Sequence, residues 1–546
     1  MDYRETSEKR RWFWMMFCAT AVIFLSGSLL LSLAGSGELF ISPDETANAF
    51  FANQFAQTGT LSTQQPFAGA LRDQLFPRSI MATQGKLVPV GFLGLPVLYG
   101  VFVYFFGSRI LLILTPLLAL LAALALKRVF TQLFSTQIGN LTALLFLITP
   151  AVWYYSARAL MPNVLFISLL IFAATHFFCA PLSRHLKRCE KRLGPLTALQ
   201  KTIDVYVAGM CVGLAIFVRA SEAIWIVPTI VLLFFFFRER YGWNSVSRFF
   251  IGMTMGILPL LIFNQLTYGS PLVTGYTPQD NSLVAQLSSR TQSFVSQIVS
   301  TVFPFGLAPK TALRHFFDYQ MGLFWWLTLL TIAGLWLLRK KKTYLCVFFG
   351  VSAWLGIWYG SWTIFDNPDA SHVTIANSYV RYWLPMTVLA LPFMAQTILW
   401  IAQRIGRSSQ QLILCTVIFF MLFGLSVNAV FFRGQDGLIQ VAQTLQTSKT
   451  IRDDVLVQTP HDAVFIVDRA DKLFFPERSV RYPLRSEATY ALLPQIVEIA
   501  PLYYYGITFP QADLDYLNNV RLPQLGLRIQ YLKTYEEESL YRLTHP

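Results

Sequence analysis

Charge is scarce in this chain. Of its 546 residues only 13% are Asp, Glu, Lys or Arg, against 54% hydrophobic and 15% aromatic. A soluble protein of this size needs more charge, and apolar runs of about 17 to 23 residues mark a polytopic membrane protein. Cysteine is scarce as well: Cys18, Cys179, Cys189, Cys211, Cys346 and Cys415 are the six. In the topology developed below they fall in apolar segments or in a cytoplasmic loop, which argues against a disulfide framework and a cysteine-rich metal site. Internal repeats, a P-loop, a dinucleotide fingerprint and a paired-histidine zinc motif are all absent.

What charge there is has a net value of +14, and its placement tells against nucleic acid as a partner. The basic clusters Arg184 to Arg192, Arg238 to Arg240, Arg339 to Lys342 and the N-terminal EKRR each abut an apolar run, as the positive-inside rule expects of cytoplasmic loops. The apolar segments run approximately over 12–34, 87–106, 109–126, 138–156, 161–180, 203–218, 222–237, 248–267, 322–338, 343–362, 380–400 and 411–432. The first is too long for a signal-peptide core and reads as an anchor helix. If all twelve crossed from a cytoplasmic N-terminus, the Arg184 to Arg192 loop would lie outside. One segment must be irregular, and the stretch Lys86 to Gly107, broken by Pro89, Pro96 and four glycines, is the candidate. If it dips or lies flat, every strongly basic loop falls inside. A cytoplasmic first loop is the alternative parity.

This assignment leaves residues 35–86, 268–321 and everything after Phe432 outside. The expected organisation is a membrane domain over 1–432 and a soluble exoplasmic α/β domain over 433–546, with strands at Asp462 to Asp468, Val480 to Leu484 and Leu527 to Tyr535. The motifs GMCVG (Gly209 to Gly213) and GMTMG (Gly252 to Gly256) suit close helix packing.

Polar residues at the exoplasmic ends of helices carry the functional signal, because an unpaired charge near the bilayer is costly. Ser42 and Pro43 resemble a helix start, which places Asp44 and Glu45 in a first turn where the helix dipole favours negative charge. First-turn stabilisation is one reading of these acids and chemistry is the other. The stripe Ala47, Phe50, Phe51, Phe55 suits a helix lying in the membrane interface. Arg158, Arg219, Arg381 and Lys86 fall on the same predicted side, against the positive-inside bias. Such cations read either as snorkelling residues or an Arg219 to Glu222 pair, or as a clamp for an anionic lipid headgroup. Asp366, Asp369 and His372 share a loop whose spacing matches no metal motif. The loop 268–321 holds Asp280, Lys310, Arg314, His315 and Asp318.

The chain resembles the GT-C superfamily of integral-membrane glycosyltransferases, which includes protein O-mannosyltransferases and the aminoarabinose transferases that modify lipid A. SPDETANAFFANQF (Ser42 to Phe55) resembles the family's first-loop acidic motif, and GKLVPVGFLGLP its lysine- and proline-rich approach to the next segment. TPAVWYYSARALMPNVLFISLLIFA, GLAIFVRASEAIWIVP, NQLTYGSPLVTGY and SYVRYWLPM have counterparts in the same order. The likeness covers roughly residues 10–400. It implies a mainly α GT-C fold of about 11 to 13 transmembrane helices, in the bacterial inner membrane, with the active site and C-terminal domain extracytoplasmic. It also implies a polyprenyl-phosphate-linked sugar as donor, a lipid, glycan or protein as acceptor, and inversion at the anomeric carbon. By the family pattern Asp44 is the general base, and Glu45 orients the acceptor or holds a divalent cation in members that use one. Lys86, Arg381, Arg158 and Arg219 become candidates for the donor phosphate, and Glu222, Tyr154, Tyr155 and His372 for acceptor or substrate. One departure stands out: many members carry an acid after the proline of the SARALMPN loop, where this chain has Asn163.

The chemistry follows independently of the family. Sugar transfer from a lipid phosphate passes through an oxocarbenium-like centre, so a carboxylate must accept the acceptor's proton while cations stabilise the departing phosphate. A transporter or flippase of lipid-linked sugars is the alternative class, and its usual marks are repeated halves and polar residues at span centres.

Overall fold

Each of the twelve apolar segments carries a helix in the computed structural model, which describes residues 7–179, 186–239, 241–276, 303, 306–364, 366, 372–405 and 408–546. Asp280, Asp369 and the first residues of the Arg184 cluster lie outside the described residues. Among the described residues six helices are long and apolar enough to cross a membrane. Two bent pairs, Thr136–Ile148 with Pro150–Ala157 and Pro309–Leu323 with Trp325–Leu337, turn through 48° and 102°. Gly94–Phe106, Pro162–Phe178, Thr202–Val218 and Ala220–Phe236 are shorter apolar helices. The chain is a multi-pass helical membrane protein.

The bends have local causes. Pro150 pushes Thr149 out of the helical region, to φ −63° and ψ 123°, and so ends the first helix of its pair. The Thr149 hydroxyl donates to Leu145 O at 2.7 Å, and Pro150 then opens the eight-residue helix that carries Tyr154 and Tyr155. The irregular stretch Lys86 to Gly107 divides into a strand, Lys86–Pro89, and a 13-residue helix, Gly94–Phe106. That helix rises about 20 Å, less than the hydrocarbon core of about 30 Å. Pro96 sits in its first turn, where no intrahelical donor is lost. The basic stretch expected as a loop differs: from Leu186 it is the start of one 33-residue helix, Leu186–Val218. At about 50 Å that helix exceeds the hydrocarbon thickness by several turns.

The chain folds as two compact units. One comprises Met1–Leu30, Ile113–Leu260 and Pro278–Gln440; the other comprises Leu31–Leu112, Leu261–Thr277 and Val441–Pro546. In the first, the two glycine motifs bring helix backbones into contact. A Cβ on Gly209 would stand 2.0 Å from Phe249 O, and one on Gly213 would stand 2.2 Å from Met253 O. Reciprocally, Gly252 faces Tyr206 O and Gly256 faces Met210 O.

The second unit holds both sheets. Strands β1 (Thr63–Gln64), β2 (Ile80–Thr83) and β3 (Lys86–Pro89) form an antiparallel sheet in the order β1-β3-β2. The C-terminal sheet has the order β5-β4-β6-β8-β7, from β4 (Val464–Val467), β5 (Ser479–Arg481), β6 (Leu502–Ile507), β7 (Arg528–Tyr535) and β8 (Glu538–Thr544). β4 runs parallel to β5 and β6, whereas β8 is antiparallel to β6 and β7. Leu71 and Leu75 of the first loop share one buried cluster with Val464, Ile466, Leu502 and Tyr541. Residues 31–112 therefore pack with the C-terminal α/β part, although more than 300 residues part them in sequence.

The glycine contacts leave no room for a side chain. Gly209→Leu and Gly252→Leu should each destabilise by about 1–3 kcal/mol through overpacking. Gly350→Leu, where a Cβ meets nothing within 4 Å, should not. Thermal unfolding of the three variants in detergent checks this.

Candidate functional site

The acidic motif is the N-terminus of the helix Pro43–Thr58 in the second unit, capped by Ser42. Ser42 accepts from Glu45 N at 3.3 Å, while Glu45 Oε2 accepts from Ser42 N at 3.1 Å and from the Ser42 hydroxyl at 3.0 Å. This is a reciprocal capping box, and it leaves Glu45 2% exposed. The adjacent acid is placed differently. Asp44 is half-buried, and its Oδ1 accepts from the Ser79 hydroxyl at 2.5 Å. One acid of the pair serves the helix start, and the other faces a side chain from a different part of the loop.

Ser79 is held there by its neighbours. Its φ of 63° lies in the left-handed region, costly for a residue with a Cβ. Arg78 fixes one side: its backbone N–H donates to Asp471 Oδ2 at 2.8 Å, and its Nε and guanidinium N–H donate to Oδ1 at 2.9 and 2.5 Å. Arg78 also donates to Arg469 O at 2.6 Å. On the other side Val90 N donates to Ser79 O at 3.1 Å. Asp471 is fully buried at the start of the short helix Asp471–Phe474. The same loop is fastened by Lys472 to Ile41 O, by Arg481 to Gln74 O at 3.0 Å, and by Arg452 between Glu38 and Glu477 at 3.0 and 2.5 Å.

The apolar stripe of the Pro43–Thr58 helix meets protein, unlike the interfacial helix expected from sequence. Ala47 and Phe51 are buried, Phe50 packs edge-on to Phe475 at 4.9 Å, and Phe55 packs on Phe263 at 5.4 Å. Gly100 permits the approach of the Gly94–Phe106 helix, since a Cβ there would stand 2.8 Å from Ala52 O. Lys86 opens β3 with its side chain exposed, and no ion pair or hydrogen bond joins it to Asp44.

The remaining site candidates belong to the first unit, where they fall into two groups. Arg219 and Glu222 are 6% and 2% exposed and bind each other at 2.7 and 2.9 Å. Glu222 also accepts from Tyr359 and from Trp225 Nε1, both at 2.5 Å, and Arg219 lies 4.9 Å from the Tyr382 ring. This network engages both charges internally, in line with the ion-pair reading of their three-residue spacing.

The second group surrounds Tyr155. This fully buried residue donates to Ala376 O at 2.9 Å, with Ile375 O and Asn377 O at 3.3 and 3.2 Å, and its ring meets Tyr154 edge-on at 5.2 Å. It anchors the backbone that leads into Ser378–Tyr382, the short helix carrying Arg381. Asp366 caps that helix, accepting from Ser378 N and the Ser378 hydroxyl at 2.7 and 2.8 Å. Arg381 donates to the same hydroxyl at 2.8 Å and contacts Met161 Sδ at 3.1 Å. The charges of Arg381, Arg158 and Asp366 all act on Tyr155. Arg158 is buried just past the Pro150–Ala157 helix, and its carbonyl accepts from Met161 N at 3.0 Å. Asn163 donates to Arg381 O at 3.2 Å. A carboxylate there would present no donor to that carbonyl, which accounts for an amide in place of the family's acid.

His372 is exposed, and no group of three metal-binding side chains forms among the described residues. The donor set does not assemble around Glu45 either, since its Oε2 takes two hydrogen bonds from Ser42. No step below is routed through a metal.

No protein-family model and no curated protein matches the chain. Solved structures do. ArnT from Cupriavidus metallidurans, bound to undecaprenyl phosphate, is similar over 97% of each chain at 13% identity and a TM-score of 0.50. The archaeal oligosaccharyltransferase AglB from Archaeoglobus fulgidus, in complex with an inhibitory peptide and a dolichol-phosphate, is similar over 94% of this chain and 70% of its own at 11% identity and a TM-score of 0.53. Its apo form gives 0.52 at 12% identity, over 94% of this chain and 71% of its own. ArnT and AglB are membrane glycosyltransferases of the GT-C superfamily.

The chain has the GT-C fold. Within it, Arg78, Ser79 and Asp471 are the residues sequence reasoning missed. The Arg78 contact joins positions 393 residues apart, and no local pattern announces it.

Removing Arg78 leaves a fully buried carboxylate without its cation. Arg78→Ala should cost about 3–5 kcal/mol, whereas Lys86→Ala at an exposed position should change stability by no more than about 0.5 kcal/mol. Denaturation monitored by circular dichroism compares the two.

Proposed function

We propose that the chain is an inverting glycosyltransferase that moves a sugar from a polyprenyl-phosphate donor to an acceptor hydroxyl on the exoplasmic face of the membrane. The observation that carries this reading is the GT-C fold, shared with ArnT bound to undecaprenyl phosphate and with AglB bound to dolichol-phosphate. The placement of Asp44 supports it. A half-buried carboxylate, oriented through one oxygen by Ser79, suits a base that takes a proton at a fixed position.

In this reading the acceptor oxygen bonds to the anomeric carbon as the bond from that carbon to the phosphate oxygen breaks. The acceptor's proton passes to Asp44, and the electron pair leaves with the polyprenyl phosphate. Lys86 carries an exposed ammonium in the same unit as Asp44 and contacts the donor phosphate. Arg158 and Arg381 remain donor-phosphate ligands in the proposal, while Arg219 and Glu222, engaged with each other, shape the protein around them. Tyr154, Tyr155 and His372 remain candidates for substrate contact. The proposal places 1–432 as the membrane catalytic part and 433–546 as an exoplasmic domain of a bacterial inner-membrane enzyme. Hexosyl and pentosyl donors both suit this chemistry.

The test is transfer from radiolabelled undecaprenyl-phosphate hexoses and pentoses to membrane lipid, glycan and protein fractions by the purified full-length protein. Asp44→Asn should lower the rate by at least about 100-fold with an unchanged unfolding midpoint. Glu45→Gln should lower stability by about 1 kcal/mol through the weakened cap and retain measurable transfer. Full activity in Asp44→Asn would remove the base from the proposal.

A further inference from the structure

A second binding site lies in the first unit, independent of the sugar-transfer reading. A cavity of about 540 Å³ is walled by Phe130, Ile171, Phe177, Ile230, Val347 and Leu389, among other apolar side chains. The few polar groups on its walls are turned to the backbone: Thr229 donates to Trp225 O and Tyr344 to Leu389 O, both at 2.7 Å. Walls of this kind suit hydrocarbon and offer nothing to a sugar or an ion. One end is different, because Lys340, Lys341 and Lys342 line it together. Lys341 is engaged, donating to Leu133 O at 3.0 Å and lying 5.4 Å from the Phe134 ring. Lys340 and Lys342 are exposed and have no ion-pair partner among the described residues.

We propose that this cavity binds an anionic phospholipid, with the headgroup phosphate on Lys340 and Lys342 and an acyl chain along the apolar walls. Two observations select that occupant. The charge at the mouth is positive while the walls are hydrocarbon, the arrangement by which basic pockets between membrane helices hold acidic lipid headgroups. The depth is that of one leaflet: Lys342 and Val351 both line the cavity on one helix, a rise of about 14 Å, close to half of the hydrocarbon core of about 30 Å. A polyprenyl chain is much longer than this, so the depth favours a leaflet phospholipid.

The test is native mass spectrometry of the delipidated full-length protein titrated with phosphatidylglycerol, phosphatidylcholine or undecaprenyl phosphate. Phosphatidylglycerol should bind more tightly than phosphatidylcholine, and the double variant Lys340→Ser with Lys342→Ser should weaken it about tenfold. Lys340→Arg with Lys342→Arg should restore it. Thr229→Trp, which fills the cavity, should abolish binding. If that variant fails to fold, a photoreactive phosphatidylglycerol on the unaltered protein should label the segments around Ile230 and Val347. Equal binding of the two phospholipids, no change in the double Ser variant, labelling elsewhere, or displacement of phosphatidylglycerol by undecaprenyl phosphate would each overturn the proposal.

Discussion

The bond set between Arg78 and Asp471 is the constraint on which the acidic loop depends. One buried carboxylate accepts from both the backbone and the guanidinium of a single residue, and so fixes position and orientation together. Ser79, next in the chain, is thereby held in a left-handed conformation that it would not otherwise favour, with its hydroxyl on Asp44. The C-terminal part of the second unit thus does more than extend the chain. It sets the backbone from which the half-buried acid is oriented.

The first unit manages its charge by a different rule. In apolar surroundings a lone charge is costly, and Arg219 and Glu222 avoid that cost through mutual bonds and through Tyr359 and Trp225. Around Tyr155 the same requirement is met with backbone carbonyls and the Asp366 cap, which together hold the short helix carrying Arg381. Polar groups in each cluster are ordered before any ligand arrives, the condition under which electrostatic stabilisation is most effective.

Much of the architecture was legible because its causes are local. Apolar runs predicted every helix-bearing segment, the Ser-Pro start predicted the helix at Pro43, and the two glycine motifs predicted a close helix pair. Three of the five C-terminal strands were read from their β-branched and aromatic runs. The strand Leu502–Ile507 was not, since Tyr503, Tyr504 and Tyr505 are all buried and show no alternation. Glu538–Thr544 follows a two-residue turn at Glu536 and Glu537, which lacks the Asn-Gly signal of a hairpin. The site was legible in residue type and not in partnership. Asp44 and Glu45 look equivalent in sequence, and only the capping box and the Ser79 contact separate their roles.

The claim that lipid-linked sugar is the substrate makes a direct demand on cells. Lipid extracts from cells lacking the protein, analysed by mass spectrometry beside complemented cells, should show a polyprenyl-phosphate-linked sugar that accumulates and then falls when the parent chain is restored. An unchanged lipid profile would contradict the account.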